Sequence, residues 1–289
     1  MGNGHGSLDA RGYLAVAELA FFVPALLISI YVVARHGLSK QLGWFYLVML
    51  SVLRLVGASC LLYLELDDDY SESLIITVAI TGAIGTAPLL LAMLGFLERI
   101  NLGMNGNGAP RGFFSLIHIM SIAALIIAII GGVKESSATV SHTGKHLMEA
   151  ASILFLTMCL GLTCIAVQNW TRRQFVLSTE LKLLHASLVA IPWLLVRMVF
   201  SILVSFSSPG SNFYFRNVSV WPKAFMQFLP EAVVVMVFIT AGLMTQRIQQ
   251  APMSADDIEN AKSGQQQRTM GDYRPSRLIT NAWHNRDRS

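Results

Sequence analysis

Long apolar runs alternate with short polar connections along the 289 residues. The first run, YLAVAELAFFVPALLISIYVVAR at 13–35, is unbroken by turn residues and carries a single carboxylate, Glu18. Six more follow at 43–65, 74–97, 113–133, 147–168, 182–206 and 223–245. Each has about the 20 residues that cross a hydrocarbon core at 1.5 Å rise per residue. Backbone polar groups in lipid must pair within one segment or in a closed barrel, and runs this long and continuous are not barrel strands. The pattern predicts an all-α integral membrane protein, a seven-transmembrane-helix bundle over 13–245. It is flanked by a polar N-terminal stretch, 1–12, and a Gln-rich tail, 246–289, that lacks an apolar period and reads as disordered.

Composition points the same way. With 54% hydrophobic and 13% charged residues, and a mean hydropathy of +0.55, a soluble globular domain is excluded. Charge then orients the bundle. The N-terminus and the connections after the second, fourth and sixth runs hold Arg11, Lys134, Lys145, Arg216 and Lys223. The opposite connections hold Arg35, Lys40, Arg99, Arg111, Arg172, Arg173 and Lys182, and the tail adds seven more basic residues. The positive-inside rule therefore places the N-terminus in the lumen and the C-terminus in the cytosol.

The first residues contain no basic region and no cleavage site, so the first run is expected to be a span and not a removed signal. MGNGHGS sets its serine one position late for myristoylation. The expected location is the endoplasmic reticulum or another endomembrane. Cys60, Cys159 and Cys164 all fall inside spans, which implies no disulfide framework. Of two N-x-S/T sequons, at Asn169 and Asn217, only Asn217 falls in a lumenal connection, so it is the expected glycosylation site.

Ionisable groups inside spans are costly and usually face the bundle interior or a wet cavity. Five occur here: Glu18, Arg54, Glu149, Arg197 and Glu231. Counted from the lumenal end of each span, Glu149 lies about 3 Å deep, Glu18 about 7 Å, Glu231 about 12 Å, and Arg197 and Arg54 about 14 to 16 Å. Adjacent spans run in opposite directions, yet all five depths fall between the lumenal surface and the midplane. The expectation is a polar chamber that opens to the lumen, with no interior charge in the cytosolic half. Glu149 is shallow enough to belong either to the chamber or to the headgroup layer.

Glu231 is the deeper acid and follows Pro230, which frees a backbone carbonyl one turn earlier; it is the expected proton donor. Glu18 is the expected base or second acid, with Arg54 and Arg197 fixing the charge of both. Trp193 stands one turn from Arg197 and Phe22 one turn from Glu18, so each aromatic shares a face with its charged neighbour, as a substrate-binding wall that favours a cation or as ordinary core packing. Pro24, Pro88, Pro192 and Pro230 interrupt four of the helices.

Other chemistries fail on named absences. The last run has no mid-span lysine for a retinal Schiff base, only Lys223 at its edge. His142, His146 and Glu149 gather near one end, but His118 and His185 sit at the other, which makes a weak zinc site. Glu98 and Arg99 stand where a G-protein-coupled receptor has its acidic-Arg pair, but the following tyrosine and an Asn-Pro-x-x-Tyr element are missing, so they read as interfacial charge. Asp68-Asp69-x-x-Glu72 has a spacing that suits magnesium and a diphosphate, but no second acidic motif accompanies it, and a solvated turn is the default. No metal or other cofactor is required.

The stretches AELAFFVPALLISIYVVARHG, LRLVGASC, GAIGTAPLLLAMLGFLER and IPWLLVRMVFSIL resemble a fungal seven-span family that includes the membrane-bound terpene cyclase of the ascofuranone pathway. The likeness covers residues 10 to 245. It implies an enzyme of fungal secondary metabolism that protonates a terminal epoxide on a prenylated aromatic and lets a ring close, giving a meroterpenoid. Such a reaction needs an acid, a base and a dry aromatic pocket. The expected partners are a lipid-soluble prenylated substrate and membrane lipid, with no nucleic acid and no protein partner indicated. The competing class is a seven-helix receptor or small-molecule transporter, which binds without converting its ligand.

Overall fold

Each apolar run folds as a helix because its backbone groups have no other partner in hydrocarbon. The computed structural model describes residues 9–36, 42–67, 72–104, 108–136, 142–208, 210–214 and 218–245. Two units emerge, Met1–Arg247 and Ile248–Ser289; the second lies wholly outside the described residues, as does the expectation of a disordered tail.

The first unit comprises α1 (Ala10–His36), α2 (Leu42–Asp67), α3 (Glu72–Ile84), α4 (Thr86–Leu102), α5 (Arg111–Ser136), α6 (His142–Thr171) and α7 (Ser178–Phe206). A last span follows as α8 (Val220–Pro222), a π-helical stretch (Lys223–Phe228) and α9 (Leu229–Met244). Among the described residues there is no strand, and seven helical spans are long and apolar enough to cross a membrane. The protein is an all-helical, multi-pass membrane bundle.

The third span is two helices. α3 and α4 meet at Gly85, three residues before Pro88, whose missing N–H and fixed ring suit only the first turn of a helix. α4 is buried nearly all round, from Thr86 through Leu94, as a uniformly apolar helix must be. It packs against α2, α5, α6 and α7. The third span is 53% buried and the last span 50%, against 28% for the first and fourth spans, so the broken third span and the last span lie innermost in the bundle. Outward faces carry apolar side chains such as Leu27, Ile119 and Ile122, all more than half exposed, as a lipid-facing surface requires.

The end at which α1 begins is called proximal here, and the opposite end distal. Among the described residues the distal half holds large interlocked side chains. Trp44, Phe96 and Phe238 interlock with ring centroids 4.3 and 4.7 Å apart. Contrary to the sequence expectation, this half also holds an interior charge pair. Arg99 donates from Nε and Nη2 to Glu180 Oε2 and Oε1 at 2.9 and 2.7 Å, and both residues are buried. The helices run past the apolar stretches that define the spans, and two-point contact with a carboxylate is what makes a buried arginine tolerable. Arg99 is therefore not an interfacial charge.

Candidate functional site

The last span begins irregularly because Pro230 cannot donate to the carbonyl one turn earlier. The ladder widens into the π-helical stretch just before it, a form often found at functional sites. Glu231, the next residue, is 1% exposed and is aimed into the bundle. Its Oε1 accepts from Arg197 Nε on α7 at 2.7 Å and from Arg54 Nη2 on α2.

Both arginines are held by further contacts. Arg197 Nη1 donates to Ser201 Oγ at 2.7 Å and Nη2 to the Gly82 carbonyl at 3.2 Å. That carbonyl lies in the last turn of α3, where a broken helix leaves acceptors without helical donors. Arg197 also stands 5.5 Å from the Phe200 ring, a cation–π distance. Gln227, buried in the π-helical stretch, accepts from Arg54 Nη1 at 2.6 Å with its amide oxygen turned to the guanidinium. A Cβ added at Gly85 would stand 2.9 Å from Arg54 Cζ, so the break in the third span is also the passage for this side chain.

Glu18, on α1, is 4% exposed, and its Oε1 has no hydrogen-bond partner among the described residues. The charges that act on it are those of Lys223, Arg54 and Glu231. Next to this group, at the proximal end, lies a cavity of about 160 Å³. A cavity needs only about 10 to 15 Å³ of such space to hold one water, so this one has room for several waters or for part of one organic molecule. Its polar lining includes Arg11, Arg197, Lys223, Gln227, Ser152 and Ser201, and its apolar lining includes Leu14, Leu61, Phe155 and Phe200.

Of the residues singled out in the sequence, Arg54, Arg197 and Glu231 are thus in direct contact, with Glu18 close enough for its charge to count. Glu149 is elsewhere: its Oε2 pairs with His146 Nδ1 at 3.0 Å, and the histidine of this pair is 74% exposed. The two aromatics are also displaced from the expected wall. Phe22 is fully buried against Phe21 and Phe228, and Trp193 packs against the apolar core; neither lines the cavity. The ring that faces Arg197 is Phe200, three residues later, because the rotation of α7 puts that side inward. Asn217, Asp68 and Asp69 lie outside the described residues.

Lys223, Arg11 and Gln227 are cavity residues that charge counting along the chain passes over, since the first two stand at span edges and the third is uncharged. Lys223, Gln227 and Glu231 recur every fourth residue, a spacing that carries all three to one side. Among the described residues no three His, Cys, Asp or Glu side chains converge as a metal site would require. Chemically, the arrangement offers two buried carboxyls with one oxygen each that is unpartnered among the described residues, Glu18 and Glu231, a guanidinium–carboxylate group that joins three spans, and a mostly apolar cavity whose lining includes Arg197 but not Glu18, Arg54 or Glu231.

Nothing among the curated proteins and nothing among the solved structures matches the chain. A family model described as "Domain of unknown function (DUF7702)" matches residues 8–248, all seven spans included. The chain whose helices assemble this chamber belongs to the DUF7702 family.

Proposed function

We propose that the protein is a membrane-embedded cyclase that opens a terminal epoxide on a lipid-soluble prenylated aromatic and closes a ring, with the chamber facing the lumen of the endoplasmic reticulum or another endomembrane. The observation that carries this reading is Glu18, a buried carboxyl with an unpartnered oxygen. Glu231 also has a buried Oε2 without a hydrogen-bond partner among the described residues, but its Oε1 accepts from two guanidiniums, which suits it less to the donor role expected for it. The donor is therefore Glu18, and Glu231 becomes the residue that positions Arg54 and Arg197.

The step balances without an oxidant or reductant. The Glu18 proton passes to the epoxide oxygen, and the carbon–oxygen bond at the more substituted carbon breaks. An alkene pair or a hydroxyl oxygen of the same molecule forms the new bond to that carbon. The proton then released returns to the Glu18 carboxylate, so the product is an isomer of the substrate. Phe155 and Phe200 on the cavity wall supply an apolar lining that excludes water. The resemblance of four spans to the fungal cyclase family supports the same reading.

The test is incubation of microsomes containing the protein with an epoxidised farnesyl-arene, followed by chromatography and mass spectrometry. The expected result is a new product of unchanged mass that is lost with Glu18→Gln at equal folded abundance. A fully active Glu18→Gln removes the donor assignment. No isomer from a panel of such epoxides removes the cyclase reading in favour of a receptor or transporter, which would show saturable binding of an unaltered ligand.

A further inference from the structure

Two polar stripes line the cavity. On α7, Arg197, Ser201 and Ser205 recur every fourth residue, and on the last span so do Lys223 and Gln227. The two spans run in opposite directions and meet where Arg197 donates to Glu231. Ser201 and Gln227, each one turn from that contact toward the proximal end, therefore stand level, and Ser205 and Lys223 stand a turn farther out. At the inner level one donor is uncommitted. The three guanidinium nitrogens of Arg197 donate to Glu231, Ser201 and the Gly82 carbonyl, and Ser201 also pairs with Thr86 Oγ1 at 3.4 Å. Gln227, 4% exposed, accepts from Arg54 Nη1 at 2.6 Å and Nη2 at 3.3 Å through its amide oxygen, while its amide NH2 makes no hydrogen bond among the described residues. An amide whose oxygen accepts from a cation is polarised, which strengthens its N–H groups as donors. The level of Glu18 follows from its neighbour on α1. Phe22 meets Phe228 with ring centroids 6.3 Å apart, and α1 and the last span both begin at the proximal end, so Glu18, one turn before Phe22, is level with the turn between Lys223 and Gln227.

We infer that Gln227 seats the reacting oxygen of the ligand: its amide NH2 donates to the epoxide oxygen, and Arg54 holds the amide turned that way. This rests on the proposed function and names what the cavity reads in its substrate, an oxygen that accepts a hydrogen bond and carries no proton of its own. The seat lies at the level of Glu18, the proposed donor to the same oxygen. A buried donor left unpaired is costly, so a prenylated arene that lacks the oxygen is the poorer ligand. Arg54 does not line the cavity and acts through Gln227 as a positioning residue.

The experiment uses the full chain in phosphatidylcholine nanodiscs, carrying Glu18→Gln so that bound epoxide is not consumed. It is titrated with a radiolabelled farnesyl-arene bearing the terminal epoxide and with the farnesyl-arene that lacks the oxygen. The epoxide is expected to bind about tenfold tighter, the effect of one hydrogen bond to a buried donor. Gln227→Met removes both the NH2 and the acceptor for Arg54, whereas Gln227→Glu removes the NH2 and keeps an acceptor for Arg54. Each is expected to bring the epoxide down to the affinity of the alkene, while unchanged alkene binding reports that the variant is folded. Equal binding of the two probes before Gln227 is changed, binding of neither, or a preference that survives in either variant overturns the inference. A preference lost in Gln227→Met and kept in Gln227→Glu assigns the effect to the Arg54 contact and not to the NH2. Label recovered from discs with Glu18 intact tests the proposed function separately. Epoxide bound in preference and recovered unconverted upholds the seat and removes the cyclase reading, whereas conversion by Gln227→Glu at unchanged KM and kcat removes the seat and leaves the cyclase.

Discussion

Arg197 on α7 and Glu231 on α9 meet through Nε and Oε1 at 2.7 Å, 34 residues apart in the chain. Arg54 closes on the same oxygen from α2, so one carboxylate holds three spans. Removing it leaves two buried guanidiniums without their anion, a change that costs about 3–5 kcal/mol. Glu231→Gln is expected to lose most of that amount in reversible unfolding in detergent micelles, and Glu231→Asp less. A Glu231→Gln protein as stable as the wild type would show that this carboxylate does not hold the bundle together.

Gly85 gives a second expectation. Because a Cβ there meets the Arg54 guanidinium, Gly85→Ala is an overpacking change and is expected to cost about 1–3 kcal/mol. Gly112, at the start of α5, has open space where its Cβ would lie, so Gly112→Ala is expected to be neutral or to stabilise by up to about 1 kcal/mol. The measurement is the difference in thermal midpoint between the two variants; equal midpoints would mean that the third span accommodates a side chain at its break.

The distal pair separates stability from chemistry. Arg99→Gln and Glu180→Gln each strand a buried charge and are expected to destabilise by about 3–5 kcal/mol, while the double change Arg99→Met with Glu180→Leu recovers most of the loss. Turnover per folded molecule should match the wild type in all three. A selective loss of turnover in the double variant would connect the distal end to the proposed reaction.

Orientation is tested by the two sequons. Asn169 is fully buried on α6 and presents no amide to a glycosyl transferase. With the proximal end in the lumen, Asn217 is the expected acceptor, so a glycosidase-sensitive gel shift should vanish with Asn217→Gln and persist with Asn169→Gln. A shift that depends on Asn169 would contradict its burial.

On the cavity wall, Phe200→Leu is expected to reduce turnover by about tenfold through loss of a ring beside a cation. Trp193→Leu should leave turnover near the wild-type value, because Trp193 does not line the cavity. The reverse order in product yield would restore Trp193 to the wall and point to a different rotation of α7.

The spans and the depth of Glu18, Arg54, Arg197 and Glu231 are legible in the sequence, because antiparallel spans convert position in the chain directly into depth. Rotation about each helix axis is not legible. Trp193 and Phe200 are both about one turn from Arg197, and only packing decides which ring turns inward. Lys223 stands at the edge of an apolar run and so counts as a connection until the π-helical stretch draws it over the cavity. Arg99 reads as interfacial in the sequence, and Glu180 is not singled out, for a related reason, since hydropathy marks where apolar side chains stop and not where the helix stops. The pairing of one carboxylate with two arginines depends on side-chain reach across three spans, which depth alone does not fix.

The packed distal end has a consequence for the energetics of the proposed reaction. Among the described residues, Trp44, Phe96 and Phe238 interlock and Arg99 is clasped by Glu180 at the end opposite the cavity. If Glu18 donates as proposed, a proton exchanged from the proximal side alone crosses no net part of the transmembrane voltage, about 2.3 kcal/mol per charge at 100 mV.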